Sequence, residues 1–97
     1  MRAVLFGDIE AAARALLTCP PDAREDLCDR MLAEAGLADR YVRRMGRLHP
    51  LWGNGTLRDA ARRYGSPPAP GFDDRSYCTC FGLVLKALCH RREKPSM

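Results

Sequence analysis

A chain of 97 residues with net charge +4, 46% hydrophobic and 29% charged residues has the composition of an ordinary globular protein rather than a disordered one. At that length about 60–65% of the unfolded surface is buried on folding, enough for one modest core and not for a large internal substrate cavity. No apolar run approaches the roughly 20 residues of a membrane span, and the apolar stretch after Arg2 stops at Gly7-Asp8, too short for a signal peptide, so no membrane partner and a cytoplasmic location are expected.

Proline and glycine divide the chain at Pro20-Pro21, from Gly46 to Gly55, and at "GSPPAPG" over 65–71. The segments between them carry helical periodicity. The expected fold is all-α, a small single-domain bundle of about four helices over approximately 8–18, 22–45, 56–64 and 74–92. The stretches 46–55 and 65–72 are connecting loops, and 93–97 is a frayed C-terminus.

In the first helix Ile9, Ala12 and Leu16 share a face, and Asp8 is placed to cap the free N–H groups. Glu10 and Arg14 stand at i,i+4 for a surface pair, and Pro20-Pro21 prevent continuation. The second helix carries the strongest periodic signal. Leu27, Met31, Glu34, Ala38, Tyr41 and Met45 follow 4-3-4-3-4 spacing, and Cys28, Leu32, Ala35 and Val42 widen the stripe. This makes it the expected spine of the fold. Its phase runs through Gly36 unbroken, and Gly46 is placed to end it.

Between that stop and the third helix lies "RLHPLWGNGTL", residues 47–57. His49 precedes a proline and is biased to extended backbone, and Asn54-Gly55 signals a turn. Leu51 and Trp52 are expected to pack down onto the helices, which makes the stretch a structural linker first. The third helix begins at the Thr56 cap, with Asp59 three residues on as in a capping box, and ends at Gly65. The fourth starts near Asp73-Asp74 and buries Tyr77, Phe81, Val84 and Leu88.

The two parts of the chain differ in sign, residues 1–39 carrying −4 and residues 40–97 carrying +8. Much of this follows the helix dipole, with acids at helix starts and bases at helix ends. Asp26/Arg30, Asp39/Arg43 and Asp59/Arg63 are further i,i+4 pairs. A remainder, Arg40, Arg44 and Arg47 with Arg58 and Arg62, forms a row of like charges that a fold has no intrinsic use for. Phosphate or carboxylate contact is the functional reading of that row.

Chemistry finds little footing. Five cysteines are an odd number, which argues against a closed disulfide framework and for thiols. Cys78-Thr79-Cys80 with Cys89-His90 lacks zinc-site spacing, since C-x-C on a helix points its sulfurs to nearly opposite sides. Cys19, Cys28, His49 and His90 offer a nucleophile and a base only formally. "GNG" lacks the lysine and the strand of a phosphate loop. The ten-residue connection between helices two and three is too long for a helix-turn-helix. No cofactor, metal or catalytic residue is expected.

"GDIEAAARALL", "ADRY" (38–41), "HPLWGNGTL" (49–57) and "YCTCFGLVLKAL" (77–88) together resemble a family of short uncharacterised alphaproteobacterial proteins. That resemblance covers most of the chain and implies a bacterial cytosolic setting, with no activity or site residues to carry over. The leading expectation is a non-enzymatic module that binds another protein or a second copy of itself, with His49, Leu51 and Trp52 as candidate partner surface. The alternative is accessory nucleic-acid binding, with Arg40, Arg44, Arg47, Arg58 and Arg62 on phosphates.

Overall fold

Four helices form where the periodicity predicts them: α1 (Phe6–Leu16), α2 (Arg24–Met45), α3 (Leu57–Arg62) and α4 (Arg75–Glu93). The computed structural model describes residues 1–93, with side chains described to residue 91. Of the expected frayed end, residues 94–97 lie outside the described residues. Among the described residues no strand forms, and no helix is long and apolar enough to cross a membrane.

Local chemistry explains most of the boundaries. Pro20 is extended and Pro21 opens a short 3₁₀ turn, Pro21–Ala23, that feeds α2. Gly46 ends α2 in the left-handed region at φ 70° while its N–H donates to the Val42 carbonyl. Thr56 caps α3 by accepting the Asp59 N–H at 3.2 Å, and Asp74 caps α4 by accepting the Tyr77 N–H at 2.9 Å.

Asp8 does not have the place expected of it. The cap of α1 is Leu5, and Asp8 lies inside the first turn, where Oδ2 accepts the Leu5 N–H at 2.8 Å. Leucine has no oxygen to return the bond, so only half of a capping box exists. The other carboxylate oxygen, Oδ1, reaches across to the Arg58 N–H in the first turn of α3 at 3.0 Å. Asp59, likewise, does not close a box on Thr56. Its Oδ2 accepts the Asn54 N–H, and the Thr56 N–H goes to Asn54 Oδ1.

The hub is α1, not the longer α2. It packs most extensively on α3 and α4 and also touches α2. Ala12, Ala13, Ala15 and Leu16 are all fully buried, a wider arc than the single face the spacing implies. Short alanine side chains let neighbouring helices approach from several sides. From α2 the core takes Cys28, Met31, Leu32, Ala35 and Ala38, and from α4 Tyr77, Cys80 and Val84. The apolar row of α2 fades in its last turn, where Met45 is 50% exposed.

Polar side chains tie the layers together at few points. Arg14 does not pair with Glu10; its guanidinium donates to the Ser66 and Pro67 carbonyls and so pins the proline crossing against α1. Arg24 donates to the Leu16 and Cys19 carbonyls, satisfying acceptors at the end of α1. The Tyr64 hydroxyl donates to Glu34 at 2.6 Å, which gives the one polar member of the α2 row a partner. Of the expected i,i+4 ion pairs, Asp39–Arg43 forms at 3.2 Å, while Asp59 stands 3.8 Å from Arg62 and none joins Asp26 to Arg30 among the described residues.

Helix α2 runs through Gly36 without interruption, and a Cβ added at Gly36 or at Gly82 in α4 would meet nothing within 4 Å. Each glycine costs its helix up to about 1 kcal/mol against alanine. Gly36→Ala and Gly82→Ala are each expected to raise stability by about 0.5–1 kcal/mol, additively because they lie on different helices. Urea unfolding of the two variants and the double checks this, and a loss from either would mean that its helix is locally distorted.

Candidate partner-binding surface

The Gly46 stop turns the chain through Arg47 and Leu48, and residues 49–53 then close on themselves. The His49 N–H donates to the Gly53 carbonyl at 2.8 Å, and the Gly53 N–H returns to the His49 carbonyl at 3.1 Å. Pro50, Leu51 and Trp52 span the gap. The His49 side chain fastens them from within, its Nδ1 accepting the Leu51 N–H at 3.0 Å and the Trp52 N–H at 3.1 Å. With Nδ1 as the acceptor, the neutral ring carries its proton on Nε2. That ring stacks on the Trp52 indole, centroids 4.4 Å apart at 6°, and meets Tyr41 edge-on at 4.8 Å.

The far side of the loop is held as firmly. Asn54 Oδ1 accepts both the N–H and the hydroxyl of Thr56, Asp59 accepts the Asn54 N–H, and Gly53 at φ 77° leaves no room for a Cβ beside the Asp59 carboxylate. Gly55 lies against the backbone of α2 at Asp39 and accepts the Arg2 N–H at 3.1 Å. The connection from Gly46 to Thr56 is therefore a shaped element, cross-bonded at both ends, and loops of that kind on a rigid scaffold are favoured places for recognition.

What it displays differs from what was expected. Leu51 does not pack down; it is 58% exposed, as is Leu48 at 63%, with Met45 half-exposed one helical turn beyond Tyr41. Trp52 is half-buried, and its buried Nε1 has no hydrogen-bond partner among the described residues. His49, Leu51 and Trp52 are thus brought together, but in two roles: His49 and Trp52 form the support, and Leu51 is presented outward. Tyr41 joins that support through its contact with His49, while Met45, one helical turn on from Tyr41, and Leu48, which precedes His49 in the chain, are both exposed. The spacing placed Tyr41 and Met45 in the core row, and only their position at the last turn before a glycine stop hinted otherwise.

The arginines divide. Arg40 and Arg44 lie on the outer face of α2, and Arg47 follows beyond the Gly46 stop, so the helical row is two residues long; all three are exposed and without an ion pair among the described residues. Arg58 and Arg62 instead line a shallow depression with Leu5, Gly7 and Asp8 at the start of α1.

Beside this surface sits the buried Asp39, whose Oδ2 is 3.2 Å from both the Met1 ammonium and the Arg43 guanidinium. Burial alone would raise its pKa, but the hydrogen bond and charge of the Met1 ammonium, with Arg43 and Arg2, hold it below the ordinary carboxylate range. A folded value below the unfolded one gives stability that is present above about pH 4 and is lost as pH falls through the folded value. The stability advantage of the protein over Asp39→Asn is therefore expected to shrink steadily as pH falls below about 4. Denaturant midpoints at each pH, read by circular dichroism, measure it; a constant gap would remove Asp39 from the acid response.

The cysteines are free, and burial pushes the Cys28 thiol up to about 12, helped by Asp29, and raises that of Cys80. Cys78 is exposed while Cys80 is buried, as C-x-C on a helix requires. Among the described residues no three His, Cys, Asp or Glu side chains are placed to hold a metal ion together. A second apolar cluster lies elsewhere, where Phe72 meets Phe81 at 5.1 Å and Phe6 meets Phe81 at 5.8 Å, with Phe6 and Phe72 more than half exposed.

A family model whose description is "Domain of unknown function (DUF7742)" matches residues 2–88. No curated protein and no solved structure matches the chain.

Proposed function

This chain belongs to the DUF7742 family, and we propose that it is a non-enzymatic interaction module that binds another protein through Met45, Leu48 and Leu51. The observation that carries the reading is the cross-bonded loop, which holds Leu51 in water on a support of His49, Trp52 and Tyr41, with Met45 and Leu48 exposed just before it in the chain. Exposed apolar groups on a preorganised backbone lose little entropy when covered, which is how such surfaces bind. A non-catalytic role fits the chemistry at hand: Nδ1 of His49 is occupied by backbone N–H groups, and Cys28 and Cys80 are held as thiols. Phosphate binding draws less support, because Arg58 and Arg62 line a depression whose lining includes none of Arg40, Arg44 and Arg47.

A photo-crosslinking amino acid at position 51, compared with one at the exposed Leu37 on α2, tests the reading in cells that make the protein. Discrete protein adducts are expected from position 51 and not from position 37. Adducts of nucleic acid alone, or none from position 51, would overturn it.

A further inference from the structure

We infer that the occupant of this surface is an acidic amphipathic segment of another protein, its aliphatic side chains against Met45, Leu48 and Leu51 and its carboxylates on Arg40, Arg44 and Arg47. The inference rests on the interaction reading above and names the partner's chemistry.

Charge complementarity carries it. From Arg40 to Arg58 the chain holds five arginines and no acid. The carboxylate at this end of α2 is Asp39, and it is already shared between the Met1 ammonium and Arg43, with Arg2 close enough to act on it. Arg40, Arg44 and Arg47 thus face solvent with no carboxylate of the described residues to pair with. Arg40 and Arg44, one turn apart, repel each other in the free protein, so arriving carboxylates relieve repulsion as well as form bonds. Guanidinium groups also match carboxylates two N–H groups at a time.

The centre of the patch selects between the two polyanions that arginines attract. Nucleic-acid strands bind where flat rings are free to stack on bases. Here His49 covers one face of Trp52, Trp52 is half-buried, and Tyr41 meets His49 edge-on, so the rings are used internally. What projects is aliphatic, and that suits the apolar stripe of a helix laid on the surface.

The test uses the full chain and its single tryptophan, which lies beside Leu51 in sequence, as the reporter. The probe is a synthetic helical peptide with leucines on one face and glutamates on the other. It should change Trp52 emission and bind about three- to tenfold more weakly at 300 than at 50 mM salt. L48E/L51E and R44E/R47E, all at exposed positions and checked for unchanged circular dichroism, should each weaken it about tenfold or more. Absence of binding overturns the inference. So does equal binding of the peptide with glutamines replacing its leucines, and so does an oligothymidylate that binds as tightly as the acidic peptide. Protein adducts at position 51 without peptide binding would sink this inference and leave the interaction reading standing.

Discussion

Gly55→Ala is expected to destabilise the protein by about 2–5 kcal/mol, a large part of the roughly 5–15 kcal/mol that holds a typical small domain folded. Two costs combine. At φ 93° an L-residue is strained, by roughly 1–2 kcal/mol. A Cβ would also stand 2.7 Å from the Cα and 3.0 Å from the N of Asp39, backbone atoms inside α2 that have no rotamer to yield. Overpacking of that kind costs typically another 1–3 kcal/mol. Gly46 separates the two effects. Its φ is 70°, yet a Cβ there meets nothing within 4 Å, so Gly46→Ala should cost only about 1–2 kcal/mol. Thermal unfolding of both measures the difference, since about 1 kcal/mol moves the midpoint of a domain this size by roughly 4–8 °C. If both variants melted together, the loop would not be seated on α2, and the claim that its aliphatic side chains are rigidly presented would fall.

That contact also shows which features a linear reading can reach. Helix α2 was legible because nine apolar positions repeat in phase, and Thr56, Asp74 and Gly46 act on neighbours within a few residues. Helix α1 was legible as a helix but not as the hub. A run of alanines marks no face, and whether alanine is buried depends on what approaches it. Partners far away in sequence were out of reach for the same reason. Arg14 has an acid four residues back and binds instead carbonyls more than fifty residues ahead. An exposed ion pair is worth so little that geometry decides between such partners.

The candidate surface was half legible. Composition singled out His49, Leu51 and Trp52, but apolar residues in a short loop read as core by default, and Leu51 turned out to face water. The reason is a bond that residue type alone does not disclose. Nδ1 of His49 collects the N–H groups of Leu51 and Trp52, and that fixes which side of the turn each side chain leaves from. His49 and Trp52 then stack inward, and Leu51 has no inward direction left. The arginine row differs in one respect: a left-handed glycine at 46 ends the helical phase one residue before Arg47, so only Arg40 and Arg44 repeat along the helix.

Asp8→Ala is expected to cost about 3–6 kcal/mol, although the residue is absent from every apolar pattern in the chain. The residue is only 6% exposed, and its carboxylate accepts one N–H from each of two helix starts, Leu5 at 2.8 Å and Arg58 at 3.0 Å. Hydrogen bonds to a charged group are worth roughly 1.5–3 kcal/mol each, and a negative charge at helix N-termini adds to them. Truncation also leaves two donors without a partner. The loss should be concentrated in α3, whose six residues are too few to hold a helix without tertiary support. Hydrogen exchange in Asp8→Ala should therefore show the Arg58 and Asp59 amides losing protection before those of α2 and α4. Asp8→Asn, which keeps one acceptor oxygen and turns the other toward an N–H as a donor, should fall between. Because Asp59 holds Asn54 and Thr56 caps the same turn, freeing α3 also frees the far end of the 46–56 loop. Asp8→Ala should then weaken the acidic peptide without altering any side chain that touches it. An Asp8→Ala protein that kept full protection in α3 would show that the Thr56 cap suffices, and that Asp8 does not couple the start of α1 to the binding surface.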